Sequence, residues 1–372
     1  MGVGRGQGTR INPETSTDGV EQGKVGISLP LGRDLLIDSR RAAVRQAEIA
    51  IDLSQAERRD LANKTLFNAG KAWLKWWETW QQVQLYENGV ELARFRLQAV
   101  KARIEYGALA VVDSLEASIE LHKRQLLKEQ AEMEFLMARR DVETFLWGPE
   151  LQPLEMVDSI LPTPSPVPDS WKSLEPDSLL VSLRREHPKM QKVRFKLQQI
   201  EVDQRLARNQ FLPDLRLEMT AYTGGGAWED PGFQENLGNN YFIGGSLYLP
   251  LFFRKERGKY NSLKFKNQII QWEGNDLFRR LENEFLNTEQ SGNFLEEQIR
   301  LQGEIARQTS DLQVAEQIRF ENGESTLFIV NRRERSLIQA QNKLIDLQSK
   351  RAKTVIQMIW LSGINPTEWI NR

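Results

Sequence analysis

The chain has 372 residues, of which 27% are charged, and its 50 basic and 51 acidic side chains leave a formal net charge of −1. This balance provides neither the basic field of a nucleic-acid-binding protein nor a polybasic membrane patch, so we expect no nucleic-acid partner. Because cysteine is absent, disulfides, thiolate nucleophiles and Cys-ligated metals are excluded.

The first predicted element is a strand at residues 20–31. Val25, Ile27, Leu29 and Leu31 recur there with a period of two, which indicates a strand with one apolar face. The glycine-rich residues before it form a poor strand pattern. No stretch of roughly 18 apolar residues that could form a membrane-spanning helix occurs, so any membrane crossing must use strands.

Two long windows of the chain contain none of its 14 prolines, Leu31–Leu146 and Leu251–Asn365. Proline disrupts helices, and these windows are rich in good helix formers, so each predicts helix. One glycine turn interrupts each window and makes it a helical hairpin. The predicted elements are a long helix 34–105, a tip turn 106–109 and a helix 110–147, then a long helix 252–320, a tip turn 321–325 and a helix 326–361. The long arms would each measure on the order of 100 Å.

The part between the two hairpins begins with a proline-rich connector at 149–187, of which the proline-dense residues 149–176 are predicted to be extended. A helix at 188–211 and strands at 214–223 and 239–250 follow. The strands again alternate, and the glycine-rich residues between them predict a polar turn. Their apolar positions are Leu215, Leu217, Met219, Tyr241, Ile243, Leu247 and Leu249.

The same order of elements occurs twice, which predicts an internal duplication. The turn glycines Gly107 and Gly323 lie 216 residues apart, and a Leu-Pro-Leu motif precedes each long helix. We therefore divide the chain into a partial first repeat at 1–148, the connector at 149–187, a second repeat at 188–363 and a tail at 364–372.

The sequence contains few candidates for catalytic residues. The only histidines are His122 and His187, and both fit structural roles in or beside a helix. No metal-ligand spacing, nucleophile elbow or phosphate loop occurs, so we expect no enzyme activity and no cofactor. Trp73, Trp76, Trp77 and Trp80 form one helical stripe, which indicates packing between helices or, as the alternative, an aromatic box for an exported compound.

Several motifs resemble those of the TolC-like outer membrane factor family. They are the entry His187-Pro188-Lys189-Met190 followed by Phe211–Leu215, the turn segments 107–113 and 323–329, and the repeat ends 145–148 and 360–363. The resemblance implies a mainly α fold with a β-barrel portion, in which long antiparallel coiled-coil hairpins join short antiparallel strands. Three chains would complete a twelve-stranded barrel in the outer membrane. Since only about thirty residues precede the first long helix, we also expect that Met1 is an internal or truncated start.

The function that this resemblance implies is passive export. A homotrimer would cross the periplasm and the bacterial outer membrane as the channel of a tripartite efflux or type I secretion system. A periplasmic adaptor and an inner membrane pump of RND, ABC or MFS type would be its partners, and its cargo would be small molecules, metal ions or polypeptides. The alternative is the periplasmic coiled-coil adaptor of such a pump.

Three groups of site residues follow from the resemblance. The apolar residues of the strands would face outer membrane lipid: Val25, Ile27, Leu29, Leu215, Leu217, Met219, Tyr241, Ile243, Leu247 and Leu249. The adaptor would dock on the two turns: Tyr106, Gly107, Ala108, Leu109, Asn322, Gly323, Glu324 and Ser325. A periplasmic gate would pair Asp113 or Glu116 with Arg332 or Arg333. The alternative is that these side chains form a solvated charged face.

Overall fold

The computed structural model describes residues 2–6, 22–163, 165–166, 175–224, 241–249 and 252–364. The chain divides into two compact units. The first comprises residues 1–55 and 192–275, and the second comprises residues 56–191 and 276–372. The predicted turn between the strand pair and the predicted tail at 365–372 lie outside the described residues.

The first unit contains an antiparallel sheet of four strands in chain order. These are β1 (Gly2–Gly6), β2 (Gln22–Pro30), β3 (Asp214–Gly224) and β4 (Tyr241–Tyr248). The weak strand pattern before residue 20 was misleading, because Gly2–Gly6 pairs along its whole length with β2. Backbone amides and carbonyls make these bonds, so a glycine-rich segment joins a sheet when a partner strand provides the ladder.

The first two helices form the first predicted hairpin. Helix α1 spans Ser39–Glu105 and α2 spans Val111–Glu143. The first starts five residues later than the sequence predicts, because Asp34 has a positive φ of 71° and Asp38 caps the helix by accepting the Arg41 N–H at 2.8 Å.

Four more helices follow in the described residues. They are α3 (Pro176–Glu186), α4 (Pro188–Asn209), α5 (Arg254–Glu321) and α6 (Leu327–Ser362). The last ends at Gly363, whose φ of 69° is the left-handed conformation that favours glycine. None of the described helices carries an apolar stretch that could cross a bilayer.

Helix α3 lies in the last part of the predicted connector 149–187, where the sequence predicted no helix. Pro176 occupies the first turn of the helix, where a missing N–H costs nothing. Leu179 and Leu183, one turn apart, are buried in the core of the second unit. The last proline of the connector therefore begins a helix.

The core of the second unit joins α1, α3, α5 and α6. Leu74, Leu183 and Phe285 are fully buried in it, and the Phe67 ring stacks on Trp360 at 4.9 Å between centroids. Trp76 and Trp77 of the tryptophan stripe are also buried, and Trp76 stacks on Phe135. Packing between helices, the first of the two interpretations of the stripe, accounts for these contacts.

An ion pair fixes α3 on this core and makes its stability depend on pH. The Arg184 guanidinium donates to Glu282 at 2.6 Å and Arg279 donates to the same carboxylate at 2.9 Å, and these bonds hold the pKa of Glu282 below its usual 4.5. A lowered carboxyl pKa stabilises the fold above the ordinary pKa, and this contribution is lost as the pH falls through the lowered value.

We therefore expect Glu282→Gln to lower the melting temperature at pH 7 by a few degrees. The difference from the unsubstituted chain should shrink as the pH falls below about 4.5, where Glu282 is protonated in the unfolded chain, and should vanish below its lowered pKa in the folded chain. Thermal unfolding followed by circular dichroism across this range measures the effect. A difference that stays constant down to pH 3 would contradict this role of the ion pair.

Candidate functional sites

One face of the sheet carries most of the apolar residues of the strands whose side chains are described. Ile27, Met219 and Ile243 are directly paired across three neighbouring strands, and they are 61%, 53% and 57% exposed. Directly paired residues lie on the same face. The register places nine of the ten residues predicted to face lipid on that face: Val25, Ile27, Leu29, Leu215, Leu217, Met219, Tyr241, Ile243 and Leu247. The tenth, Leu249, directly follows β4 and continues the alternation of residues.

The opposite face of the sheet is mostly polar. Ser28 pairs with Glu218 there, and Arg216 pairs with Ser246. The Arg216 guanidinium also donates to Asp214 at 2.9 Å. The sheet thus separates an apolar face from a polar face, and β1 and β4 form its two outer strands.

The two glycine turns have the same backbone geometry. Gly107 and Gly323 adopt φ values of 71° and 80°, which are strained for other residues. The residue after each glycine donates its N–H five residues back, Ala108 to Arg103 at 2.9 Å and Glu324 to Arg319 at 2.8 Å. This Schellman pattern satisfies the last carbonyls of α1 and α5.

The ends of the two hairpins pack together beside these turns. Val100 of α1, Ala117 of α2 and Val330 of α6 are buried in one apolar cluster with Phe320 and Leu327, which we call the tip cluster. The two turns therefore lie at one end of the second unit. Tyr106 in the first turn is 88% exposed, so the surface of the first turn is accessible to solvent in the single chain.

The predicted gate residues have unequal surroundings within one chain. Asp113 accepts the Ala110 N–H at 3.1 Å and so caps α2, and Arg333 lies 3.8 Å from the buried Glu316. The side chains of Glu116 and Arg332 form no ion pair among the described residues. The gate stays a prediction about ion pairs in an assembly of several chains. Glu116 and Arg332 are the predicted gate residues whose charged groups could form such a pair.

The comparisons with known proteins agree with this geometry. Residues 2–146 match the family model of the outer membrane efflux protein. The resemblance predicted from the turn and repeat-end motifs is thereby confirmed. A comparison with curated protein sequences finds no match.

Solved structures share the fold over nearly the whole chain. The outer membrane protein VceC from Vibrio cholerae superposes with a TM-score of 0.73 at 16% identity, over 98% of this chain and 85% of VceC. The Campylobacter jejuni CmeC outer membrane channel gives 0.68 at 14%, over 100% and 79% of the two chains. The open state of the Neisseria gonorrhoeae MtrE outer membrane channel gives 0.70 at 15%, over 97% and 79%.

At these identities the likeness establishes the fold. The prediction of a mainly helical chain with long antiparallel hairpins and a small antiparallel sheet is confirmed.

The second unit of the chain also contains a buried ion cluster that sequence analysis missed. The carboxylate of Glu334 on α6 accepts hydrogen bonds from Arg96 on α1 and from Arg124 on α2. Arg96 also donates to Asn331 at 3.2 Å, and Arg124 pairs with Glu120 at 3.4 Å. We call Arg96, Glu120, Arg124 and Glu334 the ion cluster. All four are almost completely buried.

The turn geometry leads to a prediction with a matched control. We expect Gly323→Ala to lower the free energy of unfolding by about 1 kcal/mol, because alanine disfavours the positive φ. Gly303→Ala, at an ordinary position in the interior of α5 with open space around it, should raise it by roughly 0.5–1 kcal/mol. Denaturant unfolding measures both. Equal shifts of one sign would contradict the role of Gly323 in the turn.

Proposed function

We propose that this chain is one protomer of an outer membrane channel for passive export in a tripartite efflux or type I secretion system. Three copies would close one barrel in the outer membrane and extend helices into the periplasm. A periplasmic adaptor and an inner membrane pump of RND, ABC or MFS type would supply the energy. The exported compounds would be small molecules, metal ions or polypeptides.

The observation that carries this proposal is the single apolar face of the sheet. A sheet whose central apolar row, Ile27, Met219 and Ile243, is more than half exposed needs an apolar surrounding, and lipid provides one. A sheet in lipid cannot leave the backbone groups of its outer strands unpaired. Four strands are too few to enclose a lumen, so β1 of one copy would pair with β4 of the next.

The second support is the pair of glycine turns at one end of the second unit. Both turns end a long helix and begin a return helix, and the tip cluster holds them together. An adaptor would therefore meet both turns of a protomer at once. Each of the three matched structures is described as an outer membrane protein or channel, which favours the channel over the adaptor alternative.

Reconstitution tests the proposal. The purified chain should migrate as a trimer that resists detergent and dissociates on heating, and it should add stepwise conductance to a planar lipid bilayer. Lipid-facing strands and a continuous lumen predict both properties. A chain that remains monomeric in detergent and adds no conductance would overturn the proposal.

The gate leads to a separate prediction. We expect Arg332→Glu to raise the conductance of the resting channel by roughly fivefold or more, because each exposed pair contributes up to about 1 kcal/mol and the pair would recur in every protomer. Single-channel recording measures this change. Arg307→Glu, on the exposed surface of α5 and well before the turn, is the control that should leave conductance unchanged. Unchanged conductance in Arg332→Glu removes this residue from the gate.

A further inference from the structure

The ion cluster lies next to the tip cluster in the second unit. It connects all four helices that form the two hairpins. Arg96 precedes the buried Val100 by one turn on α1, and Glu334 follows the buried Val330 by one turn on α6. The Arg124 guanidinium also donates to the carbonyl of Gly89 at 3.0 Å, and Arg96 donates to Gln317 of α5 at 3.3 Å. The ion cluster therefore has partners on α1, α2, α5 and α6.

The charges within the ion cluster balance. Two guanidinium groups face two carboxylates, and Glu334, which is 2% exposed, bridges both arginines. A balanced and fully bonded cluster can be buried, whereas removing or displacing one member leaves an uncompensated charge. The cluster thus tolerates one arrangement of the helices and penalises others.

The neighbouring apolar contacts are far less selective. Val100, Leu327 and Val330 in the tip cluster are aliphatic side chains, and aliphatic contacts are not directional. A shift of one hairpin against the other by one helical turn, about 5.4 Å, would still place aliphatic groups near aliphatic groups. The same shift would carry the Glu334 carboxylate out of hydrogen-bonding reach of both arginines.

We propose that Glu334, with Arg96 and Arg124, is a register lock that fixes the axial alignment of the two hairpins near their turns. The locked alignment is the one in which the Gly107 and Gly323 turns lie at one end of the unit. The three residues position the turns and make no contact with cargo or adaptor themselves. The inference concerns packing within one chain, so it does not depend on the proposed export function.

The absence of cysteine makes the register directly measurable, since two introduced cysteines can carry spin labels. We place them at Lys101→Cys on α1 and Gln339→Cys on α6, which are exposed and outside both clusters. The labelled chain is mixed with excess unlabelled chain, so that each assembly holds at most one labelled pair. Double electron–electron resonance then gives the distribution of distances between the two labels.

The decisive variant replaces the ion cluster by apolar residues: Arg96→Met, Glu120→Leu, Arg124→Met and Glu334→Leu. Apolar replacement of a buried ion network is often neutral for stability, so the melting temperature should stay within a few degrees. The distance distribution should nevertheless broaden or gain a second peak about 5 Å from the first. A single peak at the original distance would overturn the proposal.

Two further variants keep the test decisive. If the apolar variant does not fold, Glu334→Asp retains the charge balance but is too short to reach both arginines, and it should broaden the distribution; an unchanged distribution overturns the proposal. Gln82→Leu with Asn342→Leu removes a different polar contact between α1 and α6, a hydrogen bond of 3.0 Å, and should leave one peak. Equal broadening in that control would mean that the ion cluster has no special role.

Discussion

Replacing Met219 by arginine should abolish stable insertion into the outer membrane. Met219 lies in the middle strand of the central row Ile27, Met219 and Ile243. An arginine that faces lipid near the bilayer centre costs roughly 2–4 kcal/mol, and in the proposed trimer this cost recurs in each copy. The fraction of heat-modifiable trimer in purified outer membranes, or in liposomes after refolding, measures insertion.

The neighbouring residue provides the matched control for this substitution. Thr220 lies at nearly the same height on β3 but on the opposite face, where it pairs with Gly26 and Phe242. Thr220→Arg introduces the same charge, and we expect it to insert nearly as well as the unsubstituted chain. If Met219→Arg inserts normally, or if both variants fail equally, the apolar face does not meet lipid and the channel proposal loses its main support.

The sheet face could be predicted from sequence because strand periodicity is simple. A period of two assigns each residue to one of two faces, and Ile27, Met219 and Ile243 needed only that rule. The pairing of β2 with β3 could not be predicted in the same way. These strands are separated by about 190 residues of chain, and alternation within each strand does not say which strands are neighbours.

The helical hairpins were predictable for a similar reason, and their local details were not. Proline avoidance located the two hairpins, and a glycine with turn-forming neighbours in each window located the turns at Gly107 and Gly323, because few other residues adopt a positive φ. Helix α1 starts at Ser39 because Asp38 caps it. Other polar residues nearby could also cap a helix, so the sequence alone did not identify the start. Helix α3 was missed because its buried Leu179 and Leu183 follow a run of prolines.

The ion cluster could not be predicted because its residues are far apart in the sequence. Arg96 and Glu334 are 238 positions apart, and Arg124 and Glu334 are 210 apart, so no local pattern joins them. A weak pattern was present nonetheless. Arg96 falls on the same helical stripe as Ala93 and Val100, where an isolated charge is unusual and indicates a buried partner.

The second large effect is expected at Glu334. Glu334→Ala should lower the free energy of unfolding by about 3–5 kcal/mol, because it leaves Arg96 and Arg124 buried without their shared carboxylate. Water cannot easily solvate the two guanidinium groups, since both side chains are almost fully buried. Denaturant unfolding followed by circular dichroism of the helices measures the loss, with detergent held constant throughout.

The same helix offers a control that separates a buried carboxylate from an exposed one. Asp346 on α6 pairs with Lys343 and Lys350, each at 2.9 Å, but both lysines are about half exposed. Asp346→Ala should therefore cost less than about 1 kcal/mol, because water replaces the lost partner. A comparable loss in both variants would show that Glu334 stabilises α6 only as any carboxylate on this helix does. A loss confined to Glu334→Ala would instead place the stabilisation in the buried contacts between the two hairpins.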